Sequence, residues 1–197
     1  RESGEWESMR KLLPRLIKAG VVSEEQAADL QEEVLRQSLL TASDETALLA
    51  AWKQVPKNMR QYNSVVETFA QAAVKLDKAE LAGPVIIASL KHEWNPALVL
   101  RYSDIGSGDI SKRLKQCEKW LKEHPDDAGL HLALGRLCAA ESLWGKAREH
   151  MIRSLELEPS SLGYDAFGQL LERQGELEPA MTCFRNALRL SQGKRPE

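Results

Sequence analysis

One block of residues recurs along this chain at a nearly fixed interval, and that recurrence restricts the fold more than any single motif does. His131-x-x-Leu134-Gly135-x-x-Cys138 is followed by Ala147-x-x-x-Met151 and then by Pro159, while Tyr164-x-x-Phe167-Gly168-x-x-Leu171 is followed by Ala180-x-x-x-Phe184. In both copies the glycine precedes the alanine by twelve residues. Two worn copies keep that interval. They are Ala97-x-x-Leu100-Arg101-x-x-Asp104 with Arg113-x-x-x-Cys117 and Pro125, and Val66-x-x-Phe69-Ala70-x-x-Ala73 with Ala82-x-x-x-Ile86. Apolar residues at three- and four-residue spacing predict helices, and no sustained two-residue alternation predicts a strand. The capping box Ser23-Glu24-Glu25-Gln26 starts a helix running to about Thr41, and Ser43-Asp44 starts a second that Pro56 stops. Further helices are expected at about 63–76, 80–92, 96–105, 111–123, 128–140, 144–157, 161–173 and 177–190. Short links between them predict antiparallel neighbours.

The block resembles the tetratricopeptide repeat, whose pattern is W-x-x-L-G-x-x-Y, then A-x-x-x-F, then P, with a period near 34. The physical reading is steric. Gly135 and Gly168, with Ala147 and Ala180 on the facing helix, let two helices of a hairpin approach closely, and Leu134, Met151, Phe167 and Phe184 fill the seams. The expected fold is all-α, a right-handed superhelical solenoid of antiparallel hairpins. Residues 1–59 would form irregular helical hairpins, residues 60–192 a repeat array (about 63–93, 94–127, 128–160 and 161–191), and residues 193–197 a tail. Gly4-Glu5-Trp6 has the form of the mid-hairpin turns Gly175-Glu176-Leu177 and Gly108-Asp109-Ile110, so the chain is expected to open in mid-repeat, with Pro14 kinking the opening helix.

Several runs go beyond a generic repeat. They are Trp6 through Glu25 (W-x-x-x-x-x-L-L-P-x-L-x-K-x-G-V-x-S-x-E), A-x-W-K-x-x-P from Ala50, W-N-P-A-L-V-L-R-Y from Trp94, W-L-K-E-H-P-D-D from Trp120 and L-A-L-G-R-L-C-A-A-E-S-L-W-G-K-A-R from Leu132. Together they resemble the C-terminal repeat region of the bacterial HemY family, over about Gly4 to Leu190. The resemblance implies a parent anchored in the bacterial inner membrane by two N-terminal helices, with the repeats on its cytoplasmic face. It also implies an association with haem (tetrapyrrole, porphyrin) biosynthesis. It brings no catalytic residues.

Composition and isolated motifs narrow the chemistry. Lys plus Arg (27) nearly balances Asp plus Glu (29), which argues against a nucleic-acid coat. Three cysteines without a C-x-x-C cannot build a disulfide framework. Gly106-Ser107-Gly108-Asp109-Ile110-Ser111 approaches a phosphate-binding glycine loop, but a helix precedes it where that motif needs a strand. His92-Glu93 begins like a zinc-protease motif, yet Pro96 holds the second ligand position. No Cys or His has ligand spacing to another, so Cys117, Cys138 and Cys183 read as small core residues. His92 and His124 are the histidines least committed to repeat columns, hence the candidates for haem ligation. Trp6, Trp120 and Trp144 fall in packing columns.

The expected function is a protein-interaction scaffold, with no catalytic residues, metal or cofactor. Its partners would be proteins or peptides, with haem-synthesis enzymes implied by the HemY resemblance, and not nucleic acid. Binding would use the concave face of the first helices, presenting Asn95, Leu98 and Tyr102, then Leu132, Arg136 and Ala139, then Asp165, Gln169 and Glu172. Gly135, Ala147, Pro159, Gly168 and Ala180 would be structural. A haem or porphyrin carrier is the alternative reading, and an enzyme of late haem synthesis a third.

Overall fold

The computed structural model describes residues 23–106 and 109–196, together with Ser8 and Leu12. The opening expected at Gly4-Glu5-Trp6, the kink at Pro14 and the turn glycine Gly108 lie outside the described residues. Among those described there are ten α-helices, one 3-10 turn and no strand. The helices are α1 (Glu24–Leu40), α2 (Glu45–Gln54), α3 (Asn63–Lys75), α4 (Ala82–Leu90), α5 (Pro96–Ser103), α6 (Ile110–Leu121), α7 (Ala128–Ala140), α8 (Trp144–Leu157), α9 (Ser161–Arg173) and α10 (Leu177–Ser191). The 3-10 turn, Ala79–Leu81, leads into α4 and takes the first residues of the helix expected from about 80. The fold is all-α and its helices pack as hairpins. The described residues form two compact units: one runs up to Leu98 and includes 105–106, the other comprises 99–104 and everything from Asp109 onward.

In the first unit, α1 opens on the capping box. Ser23 Oγ accepts from the Gln26 amide at 3.2 Å, and Gln26 Oε1 accepts from the Ser23 amide at 3.1 Å. Asp44 caps α2 by accepting from the Ala47 amide at 2.9 Å, and α2 ends two residues before Pro56. Helix α3 packs against α1, α2 and α4 and buries Val65, Val66, Phe69 and Ala73. Trp52 lies on Phe69 with ring centroids 4.6 Å apart, and the Arg60 guanidinium sits 5.8 Å above the indole. Arg36 Nε donates to Thr68 Oγ1 at 3.0 Å, tying α1 to α3. Trp52 is therefore a packing residue of this unit.

The second unit shows what the glycine-alanine spacing does. A Cβ built on Gly135 would lie 2.7 Å from Met151 Cγ and 3.3 Å from the Ala147 carbonyl oxygen. One built on Gly168 would lie 2.6 Å from Phe184 Cε1. Helices α7 and α8, and α9 and α10, are thus in backbone-to-side-chain contact at these points. Ala147 and Ala180 are buried in the same seams. The two hairpins share a core of Leu132, Cys138, Met151, Ala166 and Leu170, with Phe167 against it. In the worn copy Arg101 and Arg113 occupy the glycine and alanine columns, and the contact there is between rings, Tyr102 and Trp120 meeting edge-on at 5.2 Å.

The turn inside each hairpin is equally regular. Helix α7 ends with Ser142 in the left-handed region (φ 59°), where the Leu143 amide donates to Cys138 O at 2.8 Å and the Ser142 amide to Ala139 O at 3.1 Å. Helix α9 repeats the arrangement at Gly175 (φ 79°), with Glu176 donating to Leu171 O at 2.9 Å. Asp77 (φ 57°) does the same after α3, with Lys78 donating to Ala73 O at 2.8 Å. These are Schellman stops, which satisfy the final helix carbonyls and reverse the chain. First helices start on matching caps: Asp127 accepts from Leu130 N at 2.7 Å, and Ser160 from Gly163 N at 3.0 Å.

These contacts separate glycines that pack from one that does not. Gly168→Ala forces a methyl into the Phe184 ring and should cost about 1–3 kcal/mol, as overpacked cores do. Gly145, in α8, has nothing within 4 Å of a built Cβ, so Gly145→Ala should add about 0.5 kcal/mol by relieving the entropic cost of a helical glycine. Urea unfolding of both variants beside the parent checks the sign of each change.

Candidate functional site

First helices of the second unit line an open groove with a volume of about 330 Å³. Its polar groups come from three places in the repeat frame. Asp104 follows α5, Arg136 projects from α7, and Asp165, Gln169 and Arg173 project from α9. Arg136 Nη1 donates to both carboxylate oxygens of Asp104, at 2.9 and 3.0 Å. Gln169 Nε2 donates to Asp165 Oδ2 at 2.7 Å. The rest of the lining includes apolar Ala139, Met151, Ala166 and Leu170. Arg136 keeps 24% of its side-chain surface exposed, so its guanidinium is held in direction yet still accessible. The arrangement offers donors, acceptors and apolar surface along one face, and it holds no nucleophile beside a base.

Of the nine residues expected on the concave face, the structure brings together Arg136, Ala139, Asp165 and Gln169 and leaves five others, Glu172 among them, out of the groove. Asn95 is a helix cap: its Oδ1 accepts from the Ala97 and Leu98 amides at 2.9 and 3.2 Å. Leu98 and Leu132 are buried. Tyr102, expected to project into the groove, is only 5% exposed because its ring is packed on Trp120. Burial pushes its phenol pKa up and, nearby, draws the Arg113 guanidinium down. Asp104 and Arg173 belong to the groove and were not foreseen. Asp104 stood in a repeat column that holds Cys138 and Leu171 in the better copies, which marked it as a departure without showing its partner.

A second cleft lies on the other helices of this unit, lined by Pro125, His131, Glu149, His150, Arg153 and neighbours. His131 Nδ1 and His150 Nδ1 are 3.0 Å apart, and His131 Nε2 is 3.0 Å from the Pro125 carbonyl. A carbonyl only accepts, so His131 carries its proton on Nε2, and His150 must donate from Nδ1 to the bare Nδ1 of His131. Arg153 Nη2 pairs with Asp126 at 2.9 Å on the same cleft wall. Neither histidine was singled out as a ligand from sequence, and the pair is a hydrogen bond across the α7–α8 hairpin.

The remaining motifs resolve into structure. Asp109 caps α6 through the Lys112 amide at 3.0 Å, so the glycine-rich stretch leads into an ordinary helix start. Cys117, Cys138 and Cys183 are buried, and burial raises the Cys117 thiol to about 12. Among the described residues no group of three or more His, Cys, Asp or Glu is placed to hold a metal. His92 is exposed in the turn after α4 and His124 half-buried in the turn after α6. Neither borders the two clefts just described. Trp120 is buried as its column implies, whereas Trp144, also expected in a packing column, is exposed at the start of α8.

Fold and groove together define a tetratricopeptide-like protein of paired helices. Protein HemY of Escherichia coli K12 is 22% identical to it over 197 residues, covering 98% of this chain and 50% of that protein. Protein HemY of Shigella flexneri matches to the same extent. The chain therefore spans about half the length of the curated relatives it matches. Among solved structures, MamA (residues 41 to the end) from Desulfovibrio magneticus RS-1 superposes with a TM-score of 0.52 at 18% identity, covering 98% of both chains. A double mutant of the RS-1 protein gives 0.51. These structures share the fold. No family model matches the chain, and no helix among the described residues is long and apolar enough to cross a membrane.

His150 makes stability depend on pH. Burial, then the neighbouring His131, lowers the pKa of His150 from the usual 6.5. Lys146 acts in the same direction, while Glu149 and Glu118 oppose it. The native state then binds fewer protons than the unfolded chain below that value, so stability is full above pH 6.5 and falls as the pH drops towards His150's folded pKa. Urea midpoints between neutral pH and about 5 should show this loss. His150→Gln, which keeps a donor for His131 but does not titrate, should flatten it.

Proposed function

We propose that this chain is a non-catalytic protein-interaction scaffold that takes an extended segment of a partner protein along the groove of its second unit. The observation that carries the reading is the Arg136–Asp104 and Gln169–Asp165 pairing in a groove that also has apolar lining. Paired in this way, the groove charges nearly balance. A segment of mixed polar and apolar residues suits such a lining better than an acidic tail, because Arg136 is already paired with Asp104 and the carboxylate of Asp165 shares the groove. The likeness to HemY supports the finer reading: the chain is the repeat region of an inner-membrane-anchored parent, on its cytoplasmic face, holding enzymes of haem biosynthesis. A haem or porphyrin carrier remains the alternative, and a Soret shift on titrating haem that is lost in His92→Ala or His124→Ala would favour it over the scaffold.

The groove reading is tested by selecting binding peptides from a display library on the parent chain and measuring their affinity for variants. Arg136→Ala should weaken a selected peptide by about 2 kcal/mol, roughly thirtyfold, as loss of a central interface arginine does. Its melting curve should hardly move, because a partly exposed ion pair contributes about 0.2–1 kcal/mol. Tyr102→Ala should do the reverse for stability, costing about 3 kcal/mol or more through the buried ring. Normal affinity in Arg136→Ala and in Gln169→Ala would remove the groove from the function.

A further inference from the structure

Helix α10 carries an apolar stripe that the second unit leaves largely open, with only its Phe184 ring reaching back onto Gly168. Leu177, Met181 and Leu188 are 61%, 62% and 58% exposed, and half-buried Phe184 lies in line with them. At 100° per residue the four side chains fall within about 60° of arc. Ala180, Cys183 and Ala187 are buried on the inner side of the same helix. The spacing from 177 to 181 to 184 to 188 is four, three, four, the spacing of a two-helix seam.

That order reads the same from both ends of the helix. Laid antiparallel on a second α10, Leu177 meets Leu188 and Met181 meets Phe184, each pair occurring twice. The charges beside the stripe obey the same symmetry. Glu178, Arg185 and Arg189 line one flank, and in an antiparallel pair the like flanks face each other. Glu178 of one copy then falls between Arg185 and Arg189 of the other, again twice. We propose that α10 is a self-association surface, pairing antiparallel about a two-fold axis with α10 of a second copy of this chain. Such an interface is isologous and closes at two copies. With 15 residues the helix is only about 22 Å long, so the area buried is below that of a permanent dimer and association depends on concentration.

Sedimentation velocity of the whole chain over a dilution series gives the test. The parent should pass from monomer to dimer as concentration rises. Met181→Glu and Leu188→Glu alter exposed positions, should keep the helical spectrum and melting curve, and should each weaken association by about tenfold or more. Arg136→Ala, in the groove, should leave association unchanged, which separates this surface from the peptide site. Glu178→Arg, which sets three like charges together on each side of the axis, should be monomeric alone and should associate when mixed with Arg185→Glu, since the mixture restores opposite charges across the axis. A parent that stays monomeric throughout, a dimer that survives Met181→Glu, or a charge-reversed mixture that does not associate would each overturn the proposal.

Discussion

Where α8 passes α7, no room remains for a Cβ at Gly135, and where α10 passes α9 none remains at Gly168. The rest of the second unit follows from that closeness. It lets Met151 and Phe184 reach across to the first helices, closes the seam over Ala147 and Ala180, and sets the direction in which α7 and α9 present their outer residues. Interiors packed at crystal-like density leave few alternative arrangements, so the groove inherits its geometry from the glycine contacts beneath it. The second helices carry the consequences of the same packing, with the α8 ring of His150 brought against His131.

The hairpins were legible because the requirement that produces them is local. A residue without a Cβ, a small residue twelve positions later and a stop between them mark two helices and the contact point at once. Helices α7, α8 and α9 accordingly begin and end where the pattern expects. The surface was less legible, for a physical reason. Helical spacing gives the direction of a side chain relative to its own helix, but burial depends on what the neighbouring helix places over it. Tyr102 points from a first helix as foreseen, yet Trp120 covers it. Arg136 could be placed on the face, but its partner Asp104 lies 32 residues away on the preceding hairpin, and only the packing register brings them together. The His131–His150 contact has the same character, since nothing in a 19-residue separation signals two nitrogens meeting.

The worn copy marks the limit of the pattern as a guide. Arg101 and Arg113 hold columns that elsewhere favour a glycine and an alanine, and a ring contact takes the place of the close backbone approach. Burial of Arg113 beside Tyr102 lowers the guanidinium pKa. A repeat can thus lose its small residues and still supply Asp104 to the groove, provided large side chains fill the wider seam.

The Schellman stops at Ser142 and Gly175 also bear on how a chain of this kind can change in length. Each closes its turn with two hydrogen bonds and passes directly into the next helix. One inserted residue there would rotate α8 or α10 by about 100°, carrying Ala147 or Ala180 off the seam and a larger neighbour into it. The link between hairpins, Glu158-Pro159-Ser160, is extended at Glu158 and Ser160 and has no such closure. An inserted residue is therefore expected to disturb the seam more within a hairpin than between hairpins, which makes the hairpin, and not the single helix, the unit in which such an array can grow or shrink.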